Sequence, residues 1–322
     1  MRSHSFITAI SIGCWLALAL VPNQVNAQMM GHNGKGDFGL LSASQPPPGW
    51  YLATMYYRYD GDQLRDRNGD SIAVDPEEQG EIDVNAYALG LWWVTDVKIF
   101  GANYSAMLFP AFTDNKLEVP ILDIGQRTDT GLTDLYIQPI NLGWHTDRAD
   151  FMAGIGIFAP TGRYDAEASD NLGMGMWSFE IFGGTTLYFD KAKTWNFATT
   201  AFYEMHSGKE GSDMKVGDIL TLEGGLGKSF MDGAINVGIA YYAQWKMSSD
   251  DFGVAGLPPD LNLGKNKVFG LGPDITIPIA TKKKLIAMLN FRYFWESGAR
   301  SSLEGNTFVV TASFPLPSVP LQ

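Results

Sequence analysis

Apolar and polar residues alternate with a period of two along most of this chain, which is the pattern of β-strands with one apolar and one polar face. Between Ile235 and Lys246, one face carries mainly aliphatic and aromatic side chains, and the other includes asparagine, glutamine and lysine. Most of the segments are about 10 to 14 residues long, enough to cross a bilayer when tilted. The alternation predicts twelve strands, at residues 50–60, 84–94, 98–110, 132–144, 149–160, 176–189, 194–206, 218–230, 234–247, 267–279, 284–296 and 306–315.

The connections between the predicted strands alternate in length. Those after odd-numbered strands are long and polar, such as residues 61–83 and 248–266, whereas those after even-numbered strands are tight, such as residues 95–97. Short turns at one end and long loops at the other are typical of outer-membrane barrels, whose sheet must close in lipid. The predicted fold is therefore all-β, a single antiparallel transmembrane β-barrel of about twelve strands with short periplasmic turns and long external loops. Ten or fourteen strands also fit the pattern.

Composition narrows the class of protein further. Aromatic residues make up 13% of the chain, glycines number 36, and the mean hydropathy is −0.06, as expected if half of each strand faces a polar interior. After residue 27 no apolar run is long enough for a membrane-spanning helix. The net charge of −12 argues against nucleic-acid binding. The expected partners are the outer-membrane lipid bilayer and the outer-membrane assembly machinery, which reads the C-terminal strand, here with Phe314; no cofactor is indicated.

Residues 1–27 have the features of a secretory signal peptide, with Arg2, an apolar run over residues 6–21 and a small-residue cleavage site at Val25–Ala27. A lipoprotein signal ending at Cys14 is the alternative. Removal of the leader takes away the only cysteine, so we expect no disulfide in the exported protein. The rest of the chain divides into an N-terminal segment (28–49) that is a candidate plug, the barrel (50–315) and a C-terminal tail (316–322). The expected location is the cell outer membrane.

Charged strand residues are assigned to the lumen, because an Arg or Lys on the lipid face near the bilayer centre would cost about 2–4 kcal/mol. The predicted lumen-lining polar residues are Arg58, Asp134, Gln138, Glu180, Glu204, His206, Glu223, Lys246, Asp274, Arg292 and Glu296. The predicted lumen-lining apolar residues are Phe109, Phe158, Phe182, Phe202, Phe294, Met107, Met152 and Met288.

Two interpretations of this lumen remain open. The polar side chains either form a salt-bridged plug that rigidifies a narrow barrel or a polar ladder that guides a solute. The aromatic and methionine side chains either contact apolar solutes or pack against an internal plug. The candidate plug is the glycine-rich stretch 28–45, followed by the stiff run Pro46–Pro48, and we expect it to fold into or under the barrel.

The segment GLTDLYIQPINLGW (131–144) carries a carboxylate within an apolar strand pattern. Period-two alternation places Asp134 on the lumen face and Leu135 on the lipid face. Arg58, Lys246 and Arg292 are the candidate partners of that carboxylate. Pro139 removes one donor from the strand ladder, so we expect a bulge or a local break there.

A calcium site is a weak candidate in the first long loop. Asp66, Asn68, Asp70 and Glu77 have the spacing of ligands in a calcium loop, but Ser71 replaces the expected glycine and no helices flank the loop. The alternative interpretation is a solvated acidic loop.

Enzyme motifs are absent from the sequence. Only His32, His145 and His206 follow the leader, and no G-x-S-x-G or H-E-x-x-H motif occurs. The enzymatic rival is a twelve-stranded outer-membrane phospholipase, which needs a serine and a histidine on one outer face. Ser207 and His206 are adjacent and therefore point to opposite faces, so we expect no enzyme and no catalytic residues.

The chain resembles a known family at four stretches. GLTDLYIQPINLGW, GIGIFAPTGRYD (154–165), NLGMGMWSFEIFGGTTLYF (171–189) and VFGLGPDITIPI (268–279) are similar to the outer-membrane proteins grouped under the meta-pathway of phenol degradation. The resemblance implies a β-barrel with a transport-type role for hydrophobic or aromatic compounds, without catalytic residues. We expect a porin-like channel for passive uptake of such solutes; the alternative is a non-transporting structural or surface-interaction barrel.

Overall fold

The computed structural model describes residues 30–72, 80–119, 124–168, 170–231, 235–253, 264–281 and 285–317. In these ranges no helix is long and apolar enough to cross a membrane. The strands are β1 (Gly49–Arg65), β2 (Glu81–Ile99), β3 (Ala102–Phe109), β4 (Ala111–Val119), β5 (Ile124–Arg127), β6 (Gly131–Leu132), β7 (Leu135–His145), β8 (Ala149–Ala159), β9 (Ser178–Tyr188), β10 (Trp195–His206), β11 (Ile219–Phe230), β12 (Ile235–Lys246), β13 (Lys267–Ala280), β14 (Leu285–Arg300) and β15 (Ser302–Pro315).

Twelve of these strands form a closed antiparallel barrel. The order around the ring is β1, β2, β3, β7 and then β8 to β15 in sequence, and β15 pairs back with β1. Closure gives each strand of the ring a partner on both sides, which satisfies the backbone groups that lipid cannot hydrogen-bond. The predicted fold class is confirmed, with twelve strands in the ring.

Three short strands extend the barrel wall beyond the ring. β4 follows β3 directly after Pro110 and continues the pairing with β2, where Ala88 lies opposite Ala111. β5 and β6 pair with β4 and lead into β7. Proline cannot donate a backbone hydrogen bond, which explains the interruption between β3 and β4. β3 and β4 therefore act as one long, interrupted strand, and β5, β6 and β7 act as a second one beside it.

The two ends of the barrel differ, and we name them the short-turn end and the long-loop end. Tight connections such as residues 100–101 and 146–148 lie at the short-turn end, whereas residues 160–177 and 207–218 form connections at the long-loop end. Two connections depart from the prediction. Residues 111–119 and 124–127, predicted as part of a long loop, form β4 and β5, and β14 and β15 are joined through Ser301 alone. Polar side chains over residues 297–305 suggested a loop, but β14 and β15 continue as strands up to Arg300 and from Ser302.

Side chains alternate between two environments along the ring strands. The outward face carries large apolar side chains that are strongly exposed, among them Leu89, Phe179, Ile181, Ile239, Leu271 and Trp295. The inward face is buried. So much exposed apolar surface is unfavourable in water and fits a wall that contacts lipid.

The alternation changes phase at Pro139 in β7. Gln138 faces the interior before this position and Asn141 faces the interior after it. The register of β7 shifts by one residue against both β3 and β8 at this point. The predicted bulge is confirmed, and its cause is the missing amide donor of proline.

The N-terminal segment lies inside the barrel, where residues 31–46 are buried; we call residues 30–46 the inner segment. It spans the barrel lengthwise, since Ser44 hydrogen-bonds Asp150 at the short-turn end and His32 hydrogen-bonds Asp134 at the long-loop end. The interior is therefore filled by this segment together with the wall side chains.

Backbone turns make the inner segment compact. The amide of Ser42 donates to the carbonyl of Gly39, and the amide of Ser44 donates to that of Leu41. Gly36 has a φ of 85°, and a Cβ there would lie 2.6 Å from the Phe294 ring. The turn and the close approach to the wall both require glycine at this position.

Candidate functional site

The occupied interior brings together most of the residues predicted to line a lumen. The polar side chains found inside are those of Asp134, Gln138, Glu180, Glu204, His206, Glu223, Lys246, Asp274, Arg292 and Glu296. The apolar side chains found inside are those of Phe109, Phe158, Phe182, Phe202, Phe294, Met107, Met152 and Met288. They surround the inner segment rather than an open channel.

Arg58 is the exception, and its predicted position in the lumen is wrong. Its side chain is 45% exposed on the outward face and forms ion pairs with Asp60 and Asp83. The inward face of β1 is taken by Tyr57 and Tyr59, which are buried. An outward charge is tolerated here because two carboxylates accompany it near the long-loop end of the strand.

Three wall carboxylates bind backbone amides of the inner segment. Glu204 accepts hydrogen bonds from the amides of His32 and Asn33, at 2.7 and 3.1 Å. Glu223 accepts from the amides of Gly36 and Phe38, at 2.8 and 2.7 Å.

Asp274 continues the series by accepting from the amide of Leu40 at 3.2 Å. The three carboxylates come from β10, β11 and β13, so successive parts of the wall hold successive parts of the segment. Charge-assisted hydrogen bonds of this kind are among the stronger ones in proteins.

Two cations balance part of this negative charge. Lys35, on the inner segment, lies 2.5 Å from Glu296, which also accepts hydrogen bonds from Tyr59 and Tyr242. Arg292, on the wall, donates to the backbone carbonyl of Asp37 at 2.6 Å. Both contacts join the segment to β14.

A separate set of contacts fixes the inner segment at the short-turn end. Ser44 donates to Asp150 at 2.9 Å, and Tyr188 donates to the same carboxylate at 2.6 Å. The amide group of Gln45 donates to Ser105 at 2.8 Å. The segment is thus tied to the wall at both ends and along its length.

The His32 ring has the most specific surroundings at the long-loop end. It stacks on Phe158 with a centroid distance of 4.9 Å and an interplanar angle of 12°. Its Nε2 lies 2.8 Å from Asp134 Oδ2, and its Nδ1 lies 2.7 Å from Ser178 Oγ. A short histidine side chain therefore joins three wall elements.

Asp134 is buried and faces the interior, whereas Leu135 lies on the opposite, partly exposed face. The expected partners Arg58, Lys246 and Arg292 are wrong: the carboxylate pairs with His32 and accepts hydrogen bonds from the amides of Gly162 and Met174. It therefore links the wall, the inner segment and the loop between β8 and β9. Lys246 instead pairs with Asp250, four residues along the chain.

Aromatic and methionine side chains fill the space between the polar contacts. Phe38 of the inner segment packs on Phe202, which packs on Phe182, with centroid distances of 4.6 and 5.6 Å. A small cavity of about 10 Å³ remains beside the β7 bulge, lined in part by Met107 and Gln138. This volume holds about one water molecule.

A methionine-rich cluster covers the inner segment at the long-loop end. Met174, Met176, Val216 and Ile219 are buried together, and Met30 packs against them. Lys209 lies in the neighbouring loop, where burial lowers its pKa to about 8 and the carboxylates of Asp134 and Asp250 limit the fall.

The calcium candidate falls partly outside the described residues, because Glu77 is not among them. Asp66 Oδ1 accepts hydrogen bonds from the amides of Asn68, Gly69 and Asp70 and so caps a local turn. Across the described ranges, no group of three or more His, Cys, Asp or Glu side chains is arranged to hold a metal ion.

Sequence reasoning missed the partners of the wall carboxylates. These partners are mostly backbone amides, which every residue except proline possesses and which no pattern marks. The glycines at positions 31, 34, 36 and 39 are the available signal, because a segment that presents its backbone to a wall at close range favours residues without side chains.

One family model matches most of the chain. The model of the family described as "Putative MetA-pathway of phenol degradation" matches residues 61–312. No curated protein matches the chain.

Solved structures of outer-membrane barrels are similar to this chain. An outer membrane channel from Pseudomonas putida F1 is 14% identical, with a TM-score of 0.71 over 85% of this chain and 98% of that chain. The β domain of the Bordetella autotransporter BrkA is 15% identical, with a TM-score of 0.47 over 84% of this chain and 100% of that chain. The likeness to the Pseudomonas putida channel, at 14% identity, establishes the fold alone.

Proposed function

This chain belongs to the MetA-pathway of phenol degradation family, and on that premise we propose that it is an outer-membrane channel for passive uptake of small hydrophobic or aromatic compounds. The observation that carries the proposal is an amphipathic barrel interior whose space is filled by the inner segment rather than by the wall alone. The proposal involves no catalytic step.

The interior suits solutes that are mainly apolar. Phenylalanine and methionine side chains lie between the carboxylates, and such side chains stack on, or adapt to, apolar ligands. A wide, water-filled pore for sugars has less need of these groups. The apolar outward face supports a location in the outer membrane, reached after export by the leader and by way of the assembly machinery.

Transport requires the inner segment to move, because it occupies the interior. We propose that solutes are captured at the long-loop end, pass along the aromatic and methionine surface, and leave either past the segment or through the wall at the β7 bulge. The register shift of β7 at Pro139 against both β3 and β8 supports the lateral exit, because the strand pairing is irregular there.

Single-channel recording and liposome swelling test the proposal. A variant that keeps the leader but lacks residues 30–45 is compared with the wild type, using toluene, phenol and a sugar as solutes. We expect larger conductance and faster entry of the aromatic solutes in the variant. The variant should select cations, because its interior would expose Glu204, Glu223 and Asp274.

The filled interior also favours the alternative of a non-transporting structural or surface-interaction barrel. Under that alternative, a folded variant lacking residues 30–45 shows wild-type conductance, and aromatic solutes enter neither protein. This result would overturn the channel proposal.

A further inference from the structure

The His32 ring is held by wall groups in the way that a bound ligand is held. One face of the imidazole stacks on Phe158, and its two nitrogens lie 2.8 Å from Asp134 Oδ2 and 2.7 Å from Ser178 Oγ. Asp134 and Ser178 are both 0% exposed and Phe158 is 2% exposed, so the contact excludes water.

These three groups belong to the wall and not to the inner segment. Phe158 lies on β8, Ser178 begins β9, and Asp134 directly precedes β7. The amides of Gly162 and Met174 hold the Asp134 carboxylate in place at 2.9 and 2.7 Å, independently of His32. The pocket is therefore expected to keep its shape when the segment leaves.

We propose that the His32 imidazole occupies a wall subsite for a small planar aromatic molecule that carries an O–H or N–H donor in the plane of its ring. The inference deepens, and for its role in uptake rests on, the proposed channel function. A phenol fits this description: its ring stacks on Phe158 and its hydroxyl donates to Asp134. The Ser178 hydroxyl, which can donate or accept, faces a second position on the ring.

The donor requirement follows from the chemistry of the acceptor. The Asp134 carboxyl group accepts a hydrogen bond in this position, so a ring without a donor replaces that hydrogen bond by an apolar contact in a dry pocket. Sites built to hydrogen-bond a hydroxyl reject the analogue that lacks it much more strongly than sites that sense only shape. Phenol should therefore bind better than toluene, although toluene is the more apolar molecule.

The subsite lies where a solute that enters from the long-loop end would first contact the barrel interior. It lies at the long-loop end of the barrel, because Asp134 directly precedes β7 and Ser178 begins β9. A solute that binds there must replace the His32 ring, and the same replacement removes the side-chain contacts of His32 with Asp134, Ser178 and Phe158. Glu204 then remains bound to the backbone amides at that end of the inner segment, so solute binding weakens the attachment of the segment there.

The test is a binding experiment with a His32→Gly variant, which empties the ring position in the otherwise intact protein. Isothermal titration calorimetry with phenol, imidazole and toluene measures affinity, and a crystal structure locates the ring. We expect saturable binding of phenol and imidazole to the variant. Phenol should bind about tenfold tighter than toluene, the affinity equivalent of one hydrogen bond to a charged acceptor.

Matched variants distinguish binding at the subsite from an increase in phenol binding caused by the loss of any histidine. His145→Gly removes a partly exposed histidine at the short-turn end and should bind phenol no better than the wild type. Adding Phe158→Leu to His32→Gly should weaken phenol binding. Adding Ser178→Ala should weaken the binding of imidazole, whose second ring nitrogen meets that hydroxyl. Adding Asp134→Asn should remove the preference for phenol over toluene. If His32→Gly does not assemble, a variant lacking residues 30–34 is titrated in its place.

Two outcomes would overturn the proposal: a folded variant with an empty ring position that binds neither phenol nor imidazole, or one that binds toluene as tightly as phenol. Both are independent of transport. Binding to His32→Gly without any aromatic uptake in liposomes would support the subsite and reject the channel function. Aromatic uptake in liposomes without binding to His32→Gly would support the channel function and reject the subsite.

Discussion

Lys35 Nζ lies 2.5 Å from Glu296 Oε1 inside the barrel, although the two residues are 261 positions apart in the chain. Both side chains are almost fully buried, at 2% and 0% exposure. Lys35 also lies over the ring of Tyr59, 4.5 Å from its centroid. This pair is the direct side-chain ion pair between the inner segment and the wall strand β14.

Replacing Lys35 by methionine should loosen the inner segment. Methionine keeps most of the volume but leaves the Glu296 carboxylate buried without its cation, a change that costs about 3–5 kcal/mol in comparable sites. We expect a lower melting temperature in detergent and more frequent channel openings in planar bilayers. Lys191→Met, at an exposed lysine in the turn between β9 and β10, is the control and should change neither. Unchanged opening in a folded Lys35→Met protein would show that the pair does not hold the segment.

Deleting Pro139 should close the β7 bulge without moving any other side chain to the wrong face. The bulge contains one extra residue against both neighbouring strands, so removal of one residue restores continuous alternation from Gln138 to Asn141. We expect a folded barrel of equal or greater stability and slower uptake of toluene, if solutes leave through the wall, with ion conductance unchanged.

Deletion of Ile157, in the regularly paired β8, is the control for the Pro139 deletion. It reverses the faces along part of a strand and should prevent assembly, as judged by heat-modifiable mobility on gels. Toluene uptake that is unaffected by the Pro139 deletion would exclude the lateral exit.

Lys209 should make the stability of the long-loop end depend on alkaline pH. Its pKa is about 8 when folded, below the ordinary value near 10.4, because burial disfavours the charged form. The unfolded chain therefore binds more protons between these values, and stability rises with pH across that window, by up to about 3 kcal/mol. Lys209→Met should flatten the rise in melting temperature, and Lys215→Met, at an exposed lysine of the same loop, should not. Parallel pH profiles for wild type and Lys209→Met would contradict the assignment.

Asp190 should make the turn between β9 and β10 sensitive to acid. Its carboxylate accepts hydrogen bonds from the amides of Trp195 and Thr194, which lower its pKa. A lowered folded pKa means that this stabilisation is complete above about pH 4 and is lost as the pH falls through the folded value. The melting temperature of wild type should therefore fall towards that of Asp190→Asn on acidification.

Asp147→Asn, at an exposed carboxylate of another short turn, provides the comparison for Asp190. A difference between wild type and Asp190→Asn that stays constant with pH would reject the role of the charge. Because the carboxylate of Asp190 is fully exposed, we expect only a small shift in melting temperature.

Period-two alternation determined the barrel and the inward position of Asp134. It predicted about twelve strands but also fitted ten or fourteen, and the pairing around the closed ring decided the number as twelve. The reason for the alternation is local, because neighbouring side chains on a strand point to opposite faces. Lipid on one side and protein on the other therefore require apolar and polar residues to alternate along the strand. Pro139 was equally readable, since the missing donor acts at its own position.

The alternation also holds at Arg58, which lies between the inward Tyr57 and Tyr59. The prediction failed because it assigned every charged strand residue to the lumen, whereas Asp60 and Asp83 stabilise this outward charge.

Only the tertiary structure decided what the inward side chains meet. The pairing of Lys35 with Glu296, of His32 with Asp134, and of wall carboxylates with backbone amides depends on how a glycine-rich segment threads through the closed barrel. Backbone amides are the same in every residue except proline, and long-range pairs follow from three-dimensional proximity rather than spacing along the chain. The sequence therefore marks which groups turn inward, whereas the closed ring selects their partners.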